Sequence, residues 1–276
     1  MTKLAITTSN YNTKGVTDEF LSTLEKQKNR DFHVFLVDVS REKYTYKEYP
    51  WLTVIYAENK GYSWNVNVGI KAGIKAGFNL FAEINSDTEV NDDFVDRVMT
   101  SLKYNPTSII GAKIYYFEGY EYHKDRYSSA QLGSVLWYAG GSIDWNHILT
   151  PHRGVDEVDE GQYDHSEKTG FITGCFMAFT KETYEKVGPW DENYFLYYED
   201  AEWSQRALKK GVTLLYDPTI VIYHKNGMST EGSGSKVQVN YQERNRLRFG
   251  LTYAPLRTKI HLVKNYLWEK IFPKVY

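Results

Sequence analysis

Short apolar runs alternate with amphipathic segments through the first half of the chain. The apolar runs predict four strands, at residues 4–8, 32–39, 51–57 and 78–84. The amphipathic segments predict helices over residues 17–28 and 63–76, and a third helix after Asn91. Strands that alternate with helices predict an α/β fold with a mostly parallel, Rossmann-like sheet flanked by helices.

The second half of the chain is less regular. Between residues 113 and 166 the pattern breaks into short aromatic and glycine-rich pieces, which indicates an inserted or irregular region. A run rich in glycine and serine at residues 227–234 predicts a flexible loop. The other predicted elements of this half are a strand at 171–180, a helix through 186, a helix at 199–210 and a strand at 214–224.

Polar side chains follow several of the predicted strands. Asn10, Asp38, the pair Glu58-Asn59 and the run Asn85-Ser86-Asp87 all fall at or just beyond the carboxyl ends of predicted strands. Parallel sheets bind their ligands beyond the carboxyl ends of the strands. The sequence therefore predicts a ligand site at this edge of the sheet.

The run after the fourth strand also suggests a metal ion. Asn85 and Asp87 are two residues apart on an extended segment, so both side chains can point the same way. Their hard oxygens suit Mg²⁺ or Mn²⁺, which would also neutralise a diphosphate. The alternative is that these residues serve as ordinary turn and cap residues.

A second candidate site opens the helix predicted at residues 199–210. The aromatic run from Tyr194 to Tyr198 leads into Glu199 and Asp200, and a walled pocket of this kind would suit a general base beside a sugar. The alternative is a routine pair of acids in the first turn of a helix. His224 ends a predicted strand, from which it could reach a metal or phosphate or make a structural hydrogen bond.

The composition limits the possible partners. The chain has 276 residues, of which 42% are hydrophobic, so it can bury one large core. Its formal net charge of −2 argues against nucleic acid as a partner. Aromatic residues make up 16% of the chain, and their flat amphipathic faces suit sugars as well as cores. A single cysteine, Cys175, and the lack of a leader or membrane-length apolar run predict a cytoplasmic protein.

In this order, the motifs resemble those of the family 2 glycosyltransferases with a GT-A fold, especially their rhamnosyltransferase-like branch. The resemblance runs from about Leu4 to Arg248. Asn85-Ser86-Asp87 takes the place of the metal-binding DXD motif, with Asn for the first acid. The segments at 173–177, 187–192 and 195–200 are similar to the acceptor-side block that ends in a Glu-Asp pair. Those at 8–12 and 58–69 are similar to the donor-side loops, and Arg244-Asn245 resembles a recurrent pair.

The resemblance implies an inverting, metal-dependent transfer of a sugar from a nucleoside-diphosphate donor, UDP- or dTDP-linked, to a hydroxyl of a saccharide, glycan or lipid-linked acceptor. Asp200 would be the base, with Glu199 beside it. Asp87, Asn85 and His224 would hold Mn²⁺ or Mg²⁺. The acceptor would meet Trp137, Gly174, Tyr198 and Trp203. The donor would meet Thr8, Asn10, Asn12, Asp38, Asn59, Gly61, Asn67, Asn85, Ser86, Asp87 and Arg244.

The resemblance also implies one domain over residues 1–255, with a nucleotide-sugar half at about 1–112 and an acceptor half at about 113–255. Two other classes stay open: a non-catalytic carbohydrate-binding protein or degenerate transferase, and a sugar-phosphate nucleotidyltransferase. The second normally needs glycines after the first strand, and residues 8–12 contain none. The basic, partly amphipathic tail at 256–276 could rest on a membrane surface, pack on the domain or form a dimer interface.

Overall fold

The computed structural model describes the backbone of residues 3–227 and 236–271, and the side chains of these residues except 236–238 and 268–271. Most of the flexible loop predicted at 227–234 lies outside the described residues. The strands are β1 (Leu4–Asn10), β2 (Phe32–Asp38), β3 (Leu52–Tyr56), β4 (Leu80–Ile84), β5 (Thr88–Val90), β6 (Ser108–Tyr116), β7 (Leu136–Tyr138), β8 (Glu167–Lys168), β9 (Phe176–Thr180) and β10 (Thr213–His224). The α-helices are α1 (Lys14–Glu25), α2 (Tyr62–Lys75), α3 (Phe94–Tyr104), α4 (Lys181–Val187), α5 (Glu199–Lys209), α6 (Lys236–Tyr253) and α7 (Leu256–Ile271).

These strands form one mixed sheet in the described part of the chain. Its order is β3-β2-β1-β4-β9-β6-β10-β5, with β7 paired to β6 and β8 paired to β10. Strands β3, β2, β1 and β4 are joined in parallel, and so are β6 and β10. Because β9 lies antiparallel between β4 and β6, these two parallel groups point the same way. The prediction of a mostly parallel sheet flanked by helices is confirmed.

Alternating residues along the strands feed two separate cores. In β1, Leu4 and Ile6 belong to the core that also contains apolar residues of α1 and α3, whereas Ala5 belongs to the core on the opposite face, with residues of α2 and α5. Helix α2 lies very close to the sheet, because a Cβ atom at Gly73 would come within 2.7 Å of the Phe81 ring. Successive residues of the buried strands therefore point to opposite faces, and helices cover the sheet on both faces.

The largest difference from the sequence prediction is strand β6. Its pattern was hidden by Gly111 and Lys113, which interrupt an otherwise apolar run. Lys113 is 3% exposed, and its ammonium forms ion pairs with Asp159, at 2.7 Å, and with Asp164. A buried charge of this kind is tolerated because it is paired. The irregular region thus supplies the last residues of a central strand and the two acids that neutralise Lys113.

Two further boundaries differ from the prediction. The strand expected at 171–180 begins only at Phe176, because Thr173, Gly174 and Cys175 form a turn before it. Residues 236–253 and 256–271 form the long helices α6 and α7, where the sequence pattern indicated only an amphipathic tail at 256–276. Among the described helices, none combines the length and the apolar character needed to cross a bilayer.

Candidate active site at the carboxyl edge of the sheet

The ends of β1 and β2 are joined by a polar network. Asn10, the last residue of β1, is 0% exposed, and its amide group donates to the hydroxyls of Tyr46 at 2.8 Å and Ser40 at 3.0 Å. Its amide oxygen accepts from the backbone N–H of Thr13 at 3.0 Å. Asp38, the last residue of β2, accepts from the Tyr46 hydroxyl at 2.9 Å and from the Ser40 backbone N–H at 2.9 Å. This network fixes the edge where parallel sheets bind ligands.

The DXD-like run follows β4 in the middle of this edge. Thr88, directly after the run, pairs with His224 at the end of β10. The pairing brings the Nε2 atom of His224 to 3.3 Å from the Oδ1 atom of Asp87. Both side chains are buried, and Lys225 donates its backbone N–H to the Asp87 carbonyl at 2.8 Å. Strand pairing, rather than sequence proximity, therefore joins the predicted carboxylate and imidazole.

The donor set fits a divalent metal only in part. Asp87 and His224 are side by side, and the Nδ1 atom of His224 is buried without a hydrogen-bond partner among the described residues. The Oδ1 atom of Asn85 lies 2.8 Å from the Tyr62 hydroxyl. Within the described residues, no cluster of three or more acidic, histidine or cysteine side chains could hold a metal. This arrangement suits Mg²⁺ or Mn²⁺ bound by one carboxylate, with the remaining ligands coming from the phosphates of a substrate.

A buried acid, Glu83, lies directly behind this run. It is 1% exposed at the end of β4, and burial raises its pKa to about 8. Its two oxygens accept from the hydroxyls of Thr7 and Tyr62. The Tyr62 oxygen is also 2.8 Å from Asn85 Oδ1 and 2.9 Å from the Gly174 carbonyl, although the hydroxyl has only one proton. A protonated Glu83 would supply a second proton to this crowded group of oxygens.

The predicted base pair opens α5. Asp200 is partly exposed, and its Oδ2 atom accepts from the Gly174 backbone N–H at 2.9 Å while Oδ1 accepts from that of Ala201 at 2.7 Å. Glu199 is 6% exposed, and its Oε2 atom has no hydrogen-bond partner in the described part of the chain. Burial and the neighbouring Asp200 charge raise the pKa of Glu199 well above its usual value. Burial also raises the pKa of Asp200, although two N–H groups stabilise its anion. Because the pKa of Glu199 is raised further, the pair keeps a proton on Glu199 more readily than on Asp200.

The backbone before this pair is strained. Tyr197 and Tyr198 have φ angles of 69° and 68°, which residues other than glycine rarely adopt. The buried amide of Asn245, on α6, donates to the carbonyls of Leu196 at 2.8 Å and Tyr197 at 3.0 Å. The Tyr198 hydroxyl donates to the Ile148 carbonyl at 2.6 Å. Asn245 and Ile148, both distant in sequence, thus hold the turn that positions Glu199 and Asp200. Such strain persists only where the surrounding structure imposes it.

Tyr62 connects the acids to the sheet edge. Its backbone N–H donates to the Phe195 carbonyl at 2.7 Å, and its hydroxyl reaches the Gly174 carbonyl at 2.9 Å. The same glycine donates its N–H to Asp200. Gly61 is required at the entry to α2, because its φ is 104° and a Cβ atom would come within 2.7 Å of the Phe195 carbonyl oxygen. The predicted donor and base regions are therefore in direct contact.

Trp137 lies beside the metal candidates. Its ring stands edge-on to His224 with 4.4 Å between ring centroids, and edge-on to His152 at 4.5 Å. Burial lowers the pKa of His152 to about 4, so this histidine is neutral near pH 7. Trp137, Gly174 and Tyr198, all predicted to meet an acceptor, lie around the Asp87 and Asp200 regions and keep that role as a prediction.

Three predicted contacts do not fit the structure. Trp203 is 0% exposed in the core, where its ring stacks on Trp190 and its Nε1 donates to the Gly188 carbonyl at 2.8 Å, so it cannot meet an acceptor. Asn67 is 1% exposed, and its amide binds the backbone of Trp190 instead of a donor. Asn10 is fully buried and its hydrogen-bonding groups are engaged, so it supports the edge from behind. In each case helix or strand geometry turns the side chain inward.

The other predicted donor residues stay near the edge but are less constrained. Ser86 donates to the Ser9 carbonyl at 2.8 Å, and the Asn59 side chain accepts from the Gly61 N–H at 3.1 Å. Asn12 has a φ of 60° and accepts from the Arg41 N–H at 3.0 Å. Thr8 is buried at the end of β1, and Arg244 is exposed on α6. Their donor contacts remain predictions.

Sequence reasoning missed three residues of this site. Glu83 is an acid within an apolar strand, and that signal was visible but had no assigned role. Tyr62 lay inside a recognised segment without an assigned contact. Asn245 was noticed only as the neighbour of Arg244, although its amide is the one that holds the strained turn. All three act through partners distant in sequence, so no local pattern identifies them.

Comparisons with solved structures agree with this architecture. The crystal structure of GalNAc-T7 with UDP, GalNAc and Mn²⁺ superposes with a TM-score of 0.65 at 15% identity, over 84% of this chain and 44% of that chain. The mannosyltransferase PcManGT from Pyrobaculum calidifontis, in complex with GDP-Man and Mn²⁺, superposes with a TM-score of 0.55 at 13% identity, over 94% of this chain and 69% of that chain. The fold is that of the GT-A glycosyltransferases.

Comparisons of sequence identify the family. The chain is similar to the low-salt glycan biosynthesis hexosyltransferase Agl10 of Haloferax volcanii, at 23% identity over 68% of this chain and 56% of that protein. It is also similar to the dTDP-rhamnosyl transferase RfbF of Shigella flexneri, at 24% identity over 63% of this chain and 52% of that protein. The chain thus spans about half the length of these curated relatives. The family model for glycosyl transferase family 2 matches residues 5–188, most of the chain, and this protein belongs to that family.

Proposed function

We propose that the protein is an inverting glycosyltransferase that moves a sugar from a nucleoside-diphosphate donor to a hydroxyl of a saccharide, glycan or lipid-linked acceptor. The observation that carries this proposal is the link from Asp200 through Gly174 and Tyr62 to Asn85. It joins a carboxylate with a raised pKa to the edge where nucleotides bind in such folds. Family membership and the GT-A fold support the same reaction class.

In the proposed reaction, Asp200 accepts the proton of the acceptor hydroxyl as that oxygen attacks the anomeric carbon. The bond from that carbon to the diphosphate breaks, and the diphosphate leaves with the bonding electrons. The N–H groups of Gly174 and Ala201 hold the carboxylate in place. Glu199, held neutral by burial, avoids a second negative charge beside the base. One displacement without a covalent intermediate would invert the anomeric centre.

The donor is proposed to bind at the carboxyl edge of the sheet, with its diphosphate near Asp87 and His224. Mn²⁺ or Mg²⁺ held there, with Asn85 close by, would neutralise the charge of the leaving diphosphate. The two solved relatives were obtained with UDP or GDP-Man and Mn²⁺, and one curated relative is named for dTDP-rhamnose. These names support a nucleotide sugar as the donor of this protein, and we propose that it is UDP- or dTDP-linked.

The division of labour is also a proposal. Residues 1–255 would form one catalytic domain, in which about 1–112 bind the nucleotide sugar and about 113–255 bind the acceptor. Strand β9, from the second half, lies between β4 and β6 in the same sheet, which supports a single domain. The matched family region ends at residue 188, before the Glu199-Asp200 pair, so the acceptor half depends more on the geometry.

The test is release of nucleoside diphosphate from a panel of UDP-, dTDP- and GDP-sugars, with Mn²⁺, Mg²⁺ or chelator. We expect metal-dependent release from one donor, abolished in Asp87→Ala. Asp200→Asn should keep donor binding but lose transfer once an acceptor is supplied. Absence of release from every donor, with sugar binding unaffected by chelator or either substitution, would instead favour a carbohydrate-binding protein.

A further inference from the structure

Helix α7 carries an exposed apolar stripe. Leu256, Ile260, Val263 and Leu267 are spaced by four, three and four residues, so they share one face of the helix. Their exposed fractions are 74%, 54%, 45% and 52%. Scattered exposed apolar side chains are ordinary, but a continuous row of them marks an interaction surface.

The opposite face of α7 fixes the helix to the domain. Leu262 is partly buried and packs on the core, and Gly250 of α6 leaves room for it, because a Cβ atom there would come within 2.5 Å of its Cδ1. Ile148 and Phe249 lie near this contact. The Ile148 carbonyl accepts a hydrogen bond from the Tyr198 hydroxyl, and the Phe249 ring contacts the Tyr198 ring. The stripe therefore faces outward on a helix whose inner contacts adjoin the residue preceding the Glu199-Asp200 pair.

Basic residues border the stripe on both sides. At about 100° per residue, Arg257 and Lys264 lie on one flank and Lys259 on the other. Residues 256–267 contain no Asp or Glu, although the whole chain has a formal net charge of −2. Arg257 and Lys264 are exposed, while Lys259 donates to the Thr252 carbonyl at 3.2 Å. Positive charge is thus concentrated next to the apolar row.

We propose that α7 docks on an anionic lipid bilayer and lies in the plane of its surface. An apolar stripe flanked by cations matches such a surface in both chemistry and charge, because the stripe enters the acyl boundary while the cations meet anionic headgroups. A second copy of this chain fits less well. In a symmetric pair, the basic flanks of the two copies would face each other, and their positive charges would repel. This surface stands independently of the proposed transfer reaction.

The test is co-sedimentation of the full chain with vesicles of phosphatidylcholine, or of phosphatidylcholine with 30% phosphatidylglycerol. We expect binding to the anionic vesicles that is at least tenfold stronger than to the neutral ones and weakens as NaCl is raised. The double variant Ile260→Asp with Val263→Asp should lower this binding at least tenfold. Arg257→Glu with Lys264→Glu should remove the preference for phosphatidylglycerol.

The matched control is Tyr104→Asp with Leu208→Asp, which places the same charges on exposed apolar positions of α3 and α5. It should bind like the parent chain, and near-identical circular dichroism and donor hydrolysis would show that each variant is folded. The proposal is overturned if the parent chain does not bind anionic vesicles, or if the stripe variant binds as well as the control. It is also overturned if the parent is a dimer in sedimentation velocity that Ile260→Asp with Val263→Asp converts to monomers. If the parent chain hydrolyses no donor, that result would count against the proposed transfer reaction and not against membrane docking.

Discussion

The site has two parts that are held in different ways: the donor edge, with Asp38, Asp87 and His224, and the base segment, residues 197–200. At the donor edge, Asp87 and His224 meet because two strands pair in register. Asp38 ends β2 and is fixed by Ser40 and Tyr46, which follow it closely in the chain. At the base segment, two tyrosines adopt a left-handed backbone, and the contacts that hold them come from α6 and from the loop at Ile148. The edge is regular secondary structure, whereas the base depends on long-range packing. We therefore expect substitutions to separate donor binding from transfer.

Removal of the base should have the largest effect. Asp200→Asn keeps the size of the side chain but cannot accept a proton, so kcat for transfer should fall about 10²- to 10⁴-fold. Donor KM should change little, because the donor edge is built from other elements. Steady-state kinetics with a saturating acceptor would measure both. Equal losses in donor binding and kcat would contradict the separation.

The pH profile sharpens the same point. Burial raises the pKa of Asp200, so transfer should decline as pH falls through a value above the ordinary aspartate pKa of about 3.9. The active form is the deprotonated one, so activity is lost on the acidic side. The residual activity of Asp200→Asn should lack this acidic limb. Persistence of the limb in that variant would assign it to another group.

Removal of the Asn245 amide, which holds the strained turn, should have the next largest effect on kcat. In Asn245→Ala the carbonyls of Leu196 and Tyr197 lose their donor, and the Glu199-Asp200 pair should drift from its position. We expect kcat to fall about 10- to 100-fold with donor KM nearly unchanged, since misplacement by about 1 Å can cost this much. Glu243→Ala, an exposed neighbour on α6, is the control. An altered melting temperature with unchanged kcat would make Asn245 merely structural.

Glu83→Gln tests the acid behind the donor edge through stability instead of rate. Burial raises the folded-state pKa of Glu83 to about 8 from 4.5, so between these values the folded chain keeps a proton that the unfolded chain has lost. Stability should therefore fall as pH rises through this window, by at most about 1.4 kcal/mol per pH unit for this group. Glu83→Gln should flatten that slope in urea unfolding from pH 5 to 8. An unchanged slope would mean that Glu83 is ionised when folded.

The smallest effect is expected beside the base. Since burial and the Asp200 charge keep Glu199 neutral, Glu199→Gln replaces one neutral group by another of similar shape. Its kcat should stay within about threefold of the parent, in contrast to the loss in Asp200→Asn. The two variants differ only in which carboxyl is removed, so each is the control for the other. A large loss in Glu199→Gln would assign Glu199 a direct part in proton transfer.

Much of the fold followed from local patterns. The predicted strand at 214–224 is β10 at Thr213–His224, and the helix predicted at 199–210 is α5 at Glu199–Lys209. Strand β6 was missed because Gly111 and the paired Lys113 interrupt its apolar run. The family resemblance implied an acceptor contact for Trp203, yet its position on α5 turns it into the core. Spacing along a chain does not reveal which face of a helix meets the core partner.

The sequence by itself determined the alternation of strands and helices, the family resemblance and the identity of the acids at the two ends of the site, because these depend on residue type and local period. Only the tertiary structure decided that His224 meets Asp87, that Tyr62 links Asn85 to the loop at Gly174, and that Asn245 holds the turn before Asp200. Each of these contacts joins residues far apart in the chain. The physical reason is that strand register and buried hydrogen bonds are satisfied between elements, and no local segment contains both partners.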